Sequence, residues 1–277
     1  MSFWSDLMQY GYLQNAFWAA LLSGVACALV GCYVVARRMV FLAGGITHAS
    51  FGGLGIAFWA GTNPIIGALL FAVGSALGIE WASEKGRIRS DSAIGILWAV
   101  GMATGALFMS LRPGYTSGDM TAYLFGSIIT VTHGDIAALA LLTAGLVVGA
   151  LCWLRPLFYV AFDRDYAHTR GIATRTVSYL MAALMALTIV LSIRVMGIVL
   201  LVALITIPAV VANTLSRDYR RMALIAPVVG VIGNLTGLIL SYQWDIAPGV
   251  AIIFTLLVGL IAVKLLTLWH KNAQAQE

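Results

Sequence analysis

Charge is what this sequence has least of. Asp, Glu, Lys and Arg make up 10% of its 277 residues, against about 25% in soluble domains. With 61% hydrophobic residues beside that shortage, there is no room for a sizeable soluble domain, and the chain reads as membrane-embedded from end to end. Acidic residues inside the apolar runs are rarer still: Glu80, near the end of one run, stands alone there. No G-x-x-x-x-G-K-[ST] segment occurs, which excludes a phosphate-binding loop of that kind. No serine or cysteine nucleophile arrangement and no H-E-x-x-H pair is present, so an enzyme has little to stand on. The three cysteines, Cys27, Cys32 and Cys152, lack zinc or redox spacing and are expected to be small core residues. Met1 to Gln14 has no basic stretch or small-residue cleavage pattern, so no removable signal peptide is expected.

What is present is a series of apolar runs. They cover Ala16 to Ala36, Val40 to Ala60, Ile65 to Ala82, Ala93 to Leu111 and Ile136 to Leu154. Four more follow: Thr176 to Ile193, Val195 to Leu215 with Pro208 inside it, Met222 to Tyr242, and Ile246 to Leu268. Each is long enough to cross a hydrocarbon core about 30 Å thick as a helix. The expected fold is an all-α polytopic bundle of eight or nine transmembrane helices, the interruption at Arg194 being the weakest boundary. The apolar piece TAYLFGSIITV, inside the connection from Arg112 to Asp135, is too short to span.

The +5 net charge is scattered through short connections rather than gathered on one face, so no nucleic-acid partner is expected. With nine spans, 14 of the 16 basic residues fall on one side: Arg37, Arg38, Lys85, Arg87, Arg89, Arg155, Arg164, Arg170, Arg175, Arg217, Arg220, Arg221, Lys264 and Lys271. Only Arg112 and Arg194 fall on the other. The positive-inside rule makes the first side cytoplasmic, which places the N-terminus outside and the C-terminus inside. Trp4, Trp18, Trp59, Trp153, Trp244 and Trp269 lie near run ends, as an interfacial aromatic belt in contact with membrane lipid would.

One ionisable residue sits deep. His48 lies about ten residues beyond Arg38, roughly 15 Å into the bilayer at 1.5 Å per residue. Ionisable groups at such depth mark pathways by default, and neutral imidazole binds zinc and other first-row metals. Gly44, Gly45, Ala49, Gly52 and Gly53 surround it, small enough for a helix or a ligand to approach closely. The alternative is a histidine satisfied by a backbone carbonyl or by a neighbour such as Thr47 or Ser50.

The connection Arg155 to Arg175 contains FDRDYAHTRG. Asp163 is placed to cap a short helix, Asp165 to sit in its first turn, Arg170 in its last, and Gly171 just beyond. Such a helix between two spans could transmit force from a cytoplasmic partner, or it could be a solvated connector. On the opposite side Asp119, His133, Asp135 and Asp245 form a candidate cation-attracting vestibule, with helix capping the plainer role for Asp119 and Asp135. His168 and His270 are expected to be solvated. Pro208 should bend or open its span, and Asn234 is more ordinarily interhelical glue than a site.

Five segments, in order, resemble the permease subunits of ABC importers for zinc, manganese and iron. MVFLAGGITHASFGGLG resembles the family's G-D-A-[IL]-S-H-A stretch, and SDSAIGILWAVGMATGALF its D-x-x-I-G-I-L segment. YLFGSIITV from Tyr123 is similar to its Y-L-F-G. IRVMGIVLLVALITIPAVVA matches V-G-x-L-L-x-x-A-L-L-x-x-P-A, and LILSYQWDIAPG its G-x-x-x-S-Y. The resemblance implies a single permease domain over residues 1–277 in a prokaryotic plasma membrane, acting as a homodimer or a pair. It implies a separate cytoplasmic ATPase subunit, an extracytoplasmic metal-binding protein, and a transported divalent metal ion with no permanent cofactor. It makes His48 a metal contact and assigns Asp163, Arg164, Asp165, Ala167 and Gly171 to the segment that docks on the ATPase. The family commonly has an aspartate four residues before the histidine, where this chain has Gly44. A gradient-driven cation carrier, or a permease for a chelated metal such as a siderophore, stands as the alternative.

Overall fold

The computed structural model describes residues 3–84, 90–112, 123–126 and 131–274, with backbone alone for 90, 194, 195 and 270–274. The helices, in chain order, are α1 (Phe3–Gln9), α2 (Gly11–Ala36), α3 (Val40–Trp59), α4 (Pro64–Glu84), α5 (Ser90–Ser110) and α6 (His133–Phe162). They continue with α7 (Arg164–Thr169), α8 (Thr174–Met196), α9 (Ile198–Leu215), α10 (Tyr219–Trp244) and α11 (Pro248–Gln274). Among the described residues nine helices are long and apolar enough to cross a membrane, all but α1 and α7. In a hydrocarbon environment a helix satisfies its own backbone, so long apolar runs become helices with little choice. Among the described residues the candidate spans number nine, not eight.

Two boundaries move from their sequence positions. The break expected at Arg194 falls at Gly197: α8 stays helical through Arg194 to Met196, and Gly197 then takes φ +75°. Arginine is a good helix former, whereas a positive φ is open to glycine at almost no cost. A Cβ at Gly197 would collide with the backbone of Leu124–Gly126, and one at Gly249 would come 2.8 Å from the carbonyl oxygens of Phe125 and Met196. The Y-L-F-G piece therefore wedges between the α8–α9 junction and the start of α11. Helix α6 runs past Leu154 to Phe162, with a local departure at Trp153 (φ −124°, ψ 21°) three residues before Pro156. Pro156 cannot donate to the preceding turn, and the helix gives way there rather than ending. Arg155 thus belongs to α6, and the connector to α8 begins at Asp163 rather than Arg155. Pro208 lies within α9, which is helical on both sides of it.

The bundle is organised around α3. Of its apolar window 78% is buried, against 22% in α5 and α11 and 17% in α6. Glycines make that burial possible, since backbones meet where side chains are missing. A Cβ on Gly53 would fall on the carbonyl oxygen of Gly67 in α4, and one on Gly105 in α5 would lie 2.5 Å from the Phe51 carbonyl oxygen. Helices α2 and α10 cross at Gly24 and Gly230, where an added Cβ would meet opposing backbone at 3.0 Å and 2.5 Å. Close by, Asn234 donates to the Ala20 carbonyl at 2.8 Å and to Ser23 Oγ at 3.3 Å. That is the expected interhelical glue. Cys27 and Cys32 are buried as expected, but Cys152 is exposed, lining a groove that α6 forms with α2 and α10.

The two ends of the bundle differ. At the end carrying the α2–α3, α6–α8 and α9–α10 connections lie most of the described basic residues. At the far end α1 is moored by Tyr242, whose hydroxyl donates to Asp6 Oδ2 at 2.7 Å. Also there, Arg112 of the α5 end donates to the Phe58 carbonyl and stands 4.1 Å over the Phe58 ring.

Candidate functional site

His48 sits eight residues into α3, about 12 Å from its first residue. Its ring stacks on the indole of Trp98 from α5, with centroids 4.1 Å apart and planes 11° from parallel. Neither polar neighbour on its own helix serves it. Thr47 donates to the Ala43 carbonyl at 2.7 Å and Ser50 to the Thr47 carbonyl at 2.6 Å. Both are spent on the backbone of α3, as small hydroxyls in helices commonly are. Among the described residues the buried His48 Nδ1 has no hydrogen-bond partner. The satisfied-histidine reading therefore loses its named partners, and the wall keeps an unused ring nitrogen.

Gly44, one turn before His48, is the position where the resemblance leads one to look for an aspartate. A Cβ there would lie 3.2 Å from the Trp98 ring and 3.7 Å from Val202 of α9. The missing side chain has been replaced by an aromatic one from another helix. Trp98 is 36% exposed, so one face covers His48 and part of the ring stays open. Sequence reasoning missed Trp98, although a signal was present: it lies in the interior of its apolar run, away from the span ends where the other tryptophans were sought. Among the described residues no group of three or more His, Cys, Asp or Glu is placed to hold a metal ion. His48 is a lone imidazole capped by an indole, with no such group around it among the described residues.

The second sequence-marked element, α7, is built as its residues require. Asp163 is its N-cap and accepts from the backbone N–H of Asp165 at 3.0 Å and Tyr166 at 2.9 Å. Gly171 follows the end with φ +75°, the conformation for which glycine is favoured after a helix. Ala167 is fully buried and anchors α7 to the bundle, while Asp163, Asp165, His168 and Arg170 stay exposed and Arg164 is half-buried. Arg164 reaches Glu80 at 3.2 Å and Glu84 at 3.4 Å, both on α4.

The vestibule residues have local roles. Asp135 completes a capping box with Thr132 at the start of α6, and His133 is the first residue of that helix. Asp245 ends α10 in the left-handed conformation, with φ 53°. All three lie at the far end of the bundle; Asp119 lies outside the described residues. Glu80, marked in the sequence only as a lone acid, turns out to be nearly fully buried.

Nine helices long and apolar enough to cross a membrane, counted among the described residues, define a multi-pass membrane protein. Comparison with known proteins gives the family: the chain belongs to the ABC 3 transport family, whose model matches residues 9–267. It is 33% identical over 91% of its length to the manganese transport system membrane protein MntC of Halalkalibacterium halodurans, covering 86% of that protein. It is 30% identical over 89% of its length to a probable iron transport system membrane protein of Haemophilus influenzae, covering 90% of it. Among solved structures it matches PsaBC from Streptococcus pneumoniae in complex with Fab, with TM-score 0.84, 26% identity and 94% of each chain covered. The chain is a multi-pass protein of the plasma membrane and a member of an ABC-type permease family whose relatives are named for manganese and iron transport.

Proposed function

We propose that this chain forms the pathway by which a divalent transition-metal ion (zinc, manganese or iron) is imported, driven by ATP hydrolysis in a separate subunit. The observation that carries the reading is His48, held in the wall of the central helix with a ring nitrogen unpartnered, in a chain of a metal-transport family. A single imidazole offers a passing ion one exchangeable nitrogen contact. Such a contact is weak enough to release its cargo, as conduction requires. In this reading α7 faces the ATPase, with Asp163, Arg164, Asp165, Ala167 and Gly171 shaping its docking surface. The far end, with His133, Asp135 and Asp245, receives the ion from an extracytoplasmic binding protein. A second copy of the chain covers the outward side of α5, where Ile96, Val100 and Leu107 are exposed. A gradient-driven carrier would need an acidic relay at depth. Glu80, the one acid within an apolar run, is instead flanked by Arg37 and Arg164.

The test is uptake into proteoliposomes holding the chain, its ATPase and its binding protein, with zinc, manganese and iron offered separately. ATP-dependent uptake of one metal, falling at least tenfold in His48→Ala, is the expected result. Metal flux that persists without the ATPase would overturn the proposal in favour of a gradient-driven carrier. Uptake that needs the chelate rather than the free ion would make the cargo a metal complex.

A further inference from the structure

The basic end of the bundle holds an ionic cluster, buried at Glu80, that the pathway does not use and that shares only Arg164 with the docking segment. Glu80 and Glu84 lie one turn apart on the last stretch of α4. The Glu80 side chain is 1% exposed, and it stands 3.5 Å from Arg37, just past α2, and 3.2 Å from Arg164, the first residue of α7. Glu84 stands 3.4 Å from the same Arg164 nitrogen and 3.0 Å from Arg175 of α8. Tyr179, one turn along α8, donates to the other face of the pair at Glu84 Oε2, 3.3 Å away. Arg37 also donates to the Tyr33 hydroxyl at 3.3 Å. Two carboxylates and three guanidiniums thus tie α2, α4, α7 and α8 together.

Two features distinguish this cluster from a simple staple. Glu80, though buried between two arginines, accepts no hydrogen bond on either oxygen from the described residues. A buried carboxylate balanced by charge alone lacks the directional bonds that normally offset its desolvation. Arg164 Nη2 is nearly equidistant from two carboxylates one helical turn apart, 3.2 Å from one and 3.4 Å from the other. Such a guanidinium can tighten onto either acceptor by a small movement of α7, and the two arrangements differ by a step along α4. Helix α4 is in turn locked to α3, because Gly53 and Gly67 leave no gap between the two backbones, and α3 carries His48.

We infer that Glu80 is the positioning residue through which α7 moves α4, and with it the His48 wall, by way of its ion pair with Arg164. The inference rests on the reading of α7 as the ATPase-facing helix. Packed elements with two discrete arrangements are the physical means by which distant sites become coupled. Glu80 is 1% exposed, so its link to Arg164 lies beneath the face that α7 offers for docking.

The experiment measures metal uptake and ATP hydrolysis side by side in proteoliposomes of the full complex, for wild type, Glu80→Gln, Glu84→Gln, Arg164→Lys and the double variant Glu80→Gln/Arg164→Lys. Glu80→Gln keeps the shape and removes the charge. It is expected to leave ATP hydrolysis and the melting temperature of the complex near wild type while ions moved per ATP fall at least fivefold. The double variant is expected to be no worse than the more affected single one, since both break the same link. Unchanged ions per ATP in Glu80→Gln, or losses that multiply in the double variant, would overturn the inference. If Glu80→Gln does not fold, Arg164→Lys decides by the same ratio: it keeps the charge but not the planar fork, and an unchanged ratio would count against the link. A wild-type complex without ATP-driven uptake would instead sink the importer reading on which the inference stands.

Discussion

At the scale of single residues the informative pair is Gly44 and Trp98. An aspartate at position 44 and an indole stacked on His48 compete for the same volume, since a Cβ at Gly44 already lies 3.2 Å from the Trp98 ring. Gly44→Asp alone is therefore expected to push Trp98 off the imidazole and to lower both the yield of folded protein and the uptake rate. Combined with Trp98→Ala, the carboxylate gains room, and the site acquires an oxygen ligand and a negative charge beside its nitrogen. Harder ions prefer oxygen ligands, so the double variant should take up manganese relative to zinc at least threefold better than wild type. Competition uptake with the two metals measures the ratio; an unchanged ratio would mean that position 44 does not face the ion. His48 could be singled out from the sequence because a lone ionisable residue in an apolar run is visible one residue at a time. Its stack on Trp98 could not, because fifty residues separate the two and only the packing of α5 on α3 brings them together.

At the scale of elements, glycine decides which helices can touch. The spans were legible because hydrocarbon leaves a long apolar run few alternatives to a helix. The end at Gly197 was misplaced because the eye stops at the charge of Arg194, while the chain stops where φ turns positive. Helix α7 was legible almost to the residue, since caps are local chemistry: Asp163, Asp165 and Gly171 all act within a few positions of where they stand in the sequence. The Glu80 cluster was not, because Arg37, Glu80 and Arg164 come from three distant segments. The contact between α3 and α4 gives a direct test. Gly53→Leu would drive its side chain into the backbone of Gly67, and overpacking of this kind costs about 1–3 kcal/mol. The melting temperature in detergent should fall clearly for Gly53→Leu and stay within error for Gly74→Leu, which has nothing within 4 Å of its added Cβ. Equal effects at both positions would show that helix propensity, not backbone contact, sets the response.

At the scale of the whole molecule, the distribution of charge carries the orientation on which every partner assignment depends. The 14 basic residues on one side predict that α7 and the Glu80 cluster are cytoplasmic, and that the Thr62 turn between α3 and α4 is outside. In a chain with Cys27, Cys32 and Cys152 replaced by alanine, Thr62→Cys and His168→Cys each give one exposed reporter. A membrane-impermeant maleimide added to intact cells stripped of outer barriers should label Thr62→Cys. It should reach His168→Cys only after the membrane is opened. The reverse pattern would put α7 on the outer surface, where ATP and its hydrolysing subunit are absent, and would remove α7 as the docking helix and Glu80 as its link to α4. It would leave the fold and the family untouched, because those rest on the helices and on residues 9–267. Orientation is thus the point at which the structure and the function of this chain can be separated by experiment: the nine spans pack the same way whichever side they face, but only one side gives α7 something to respond to.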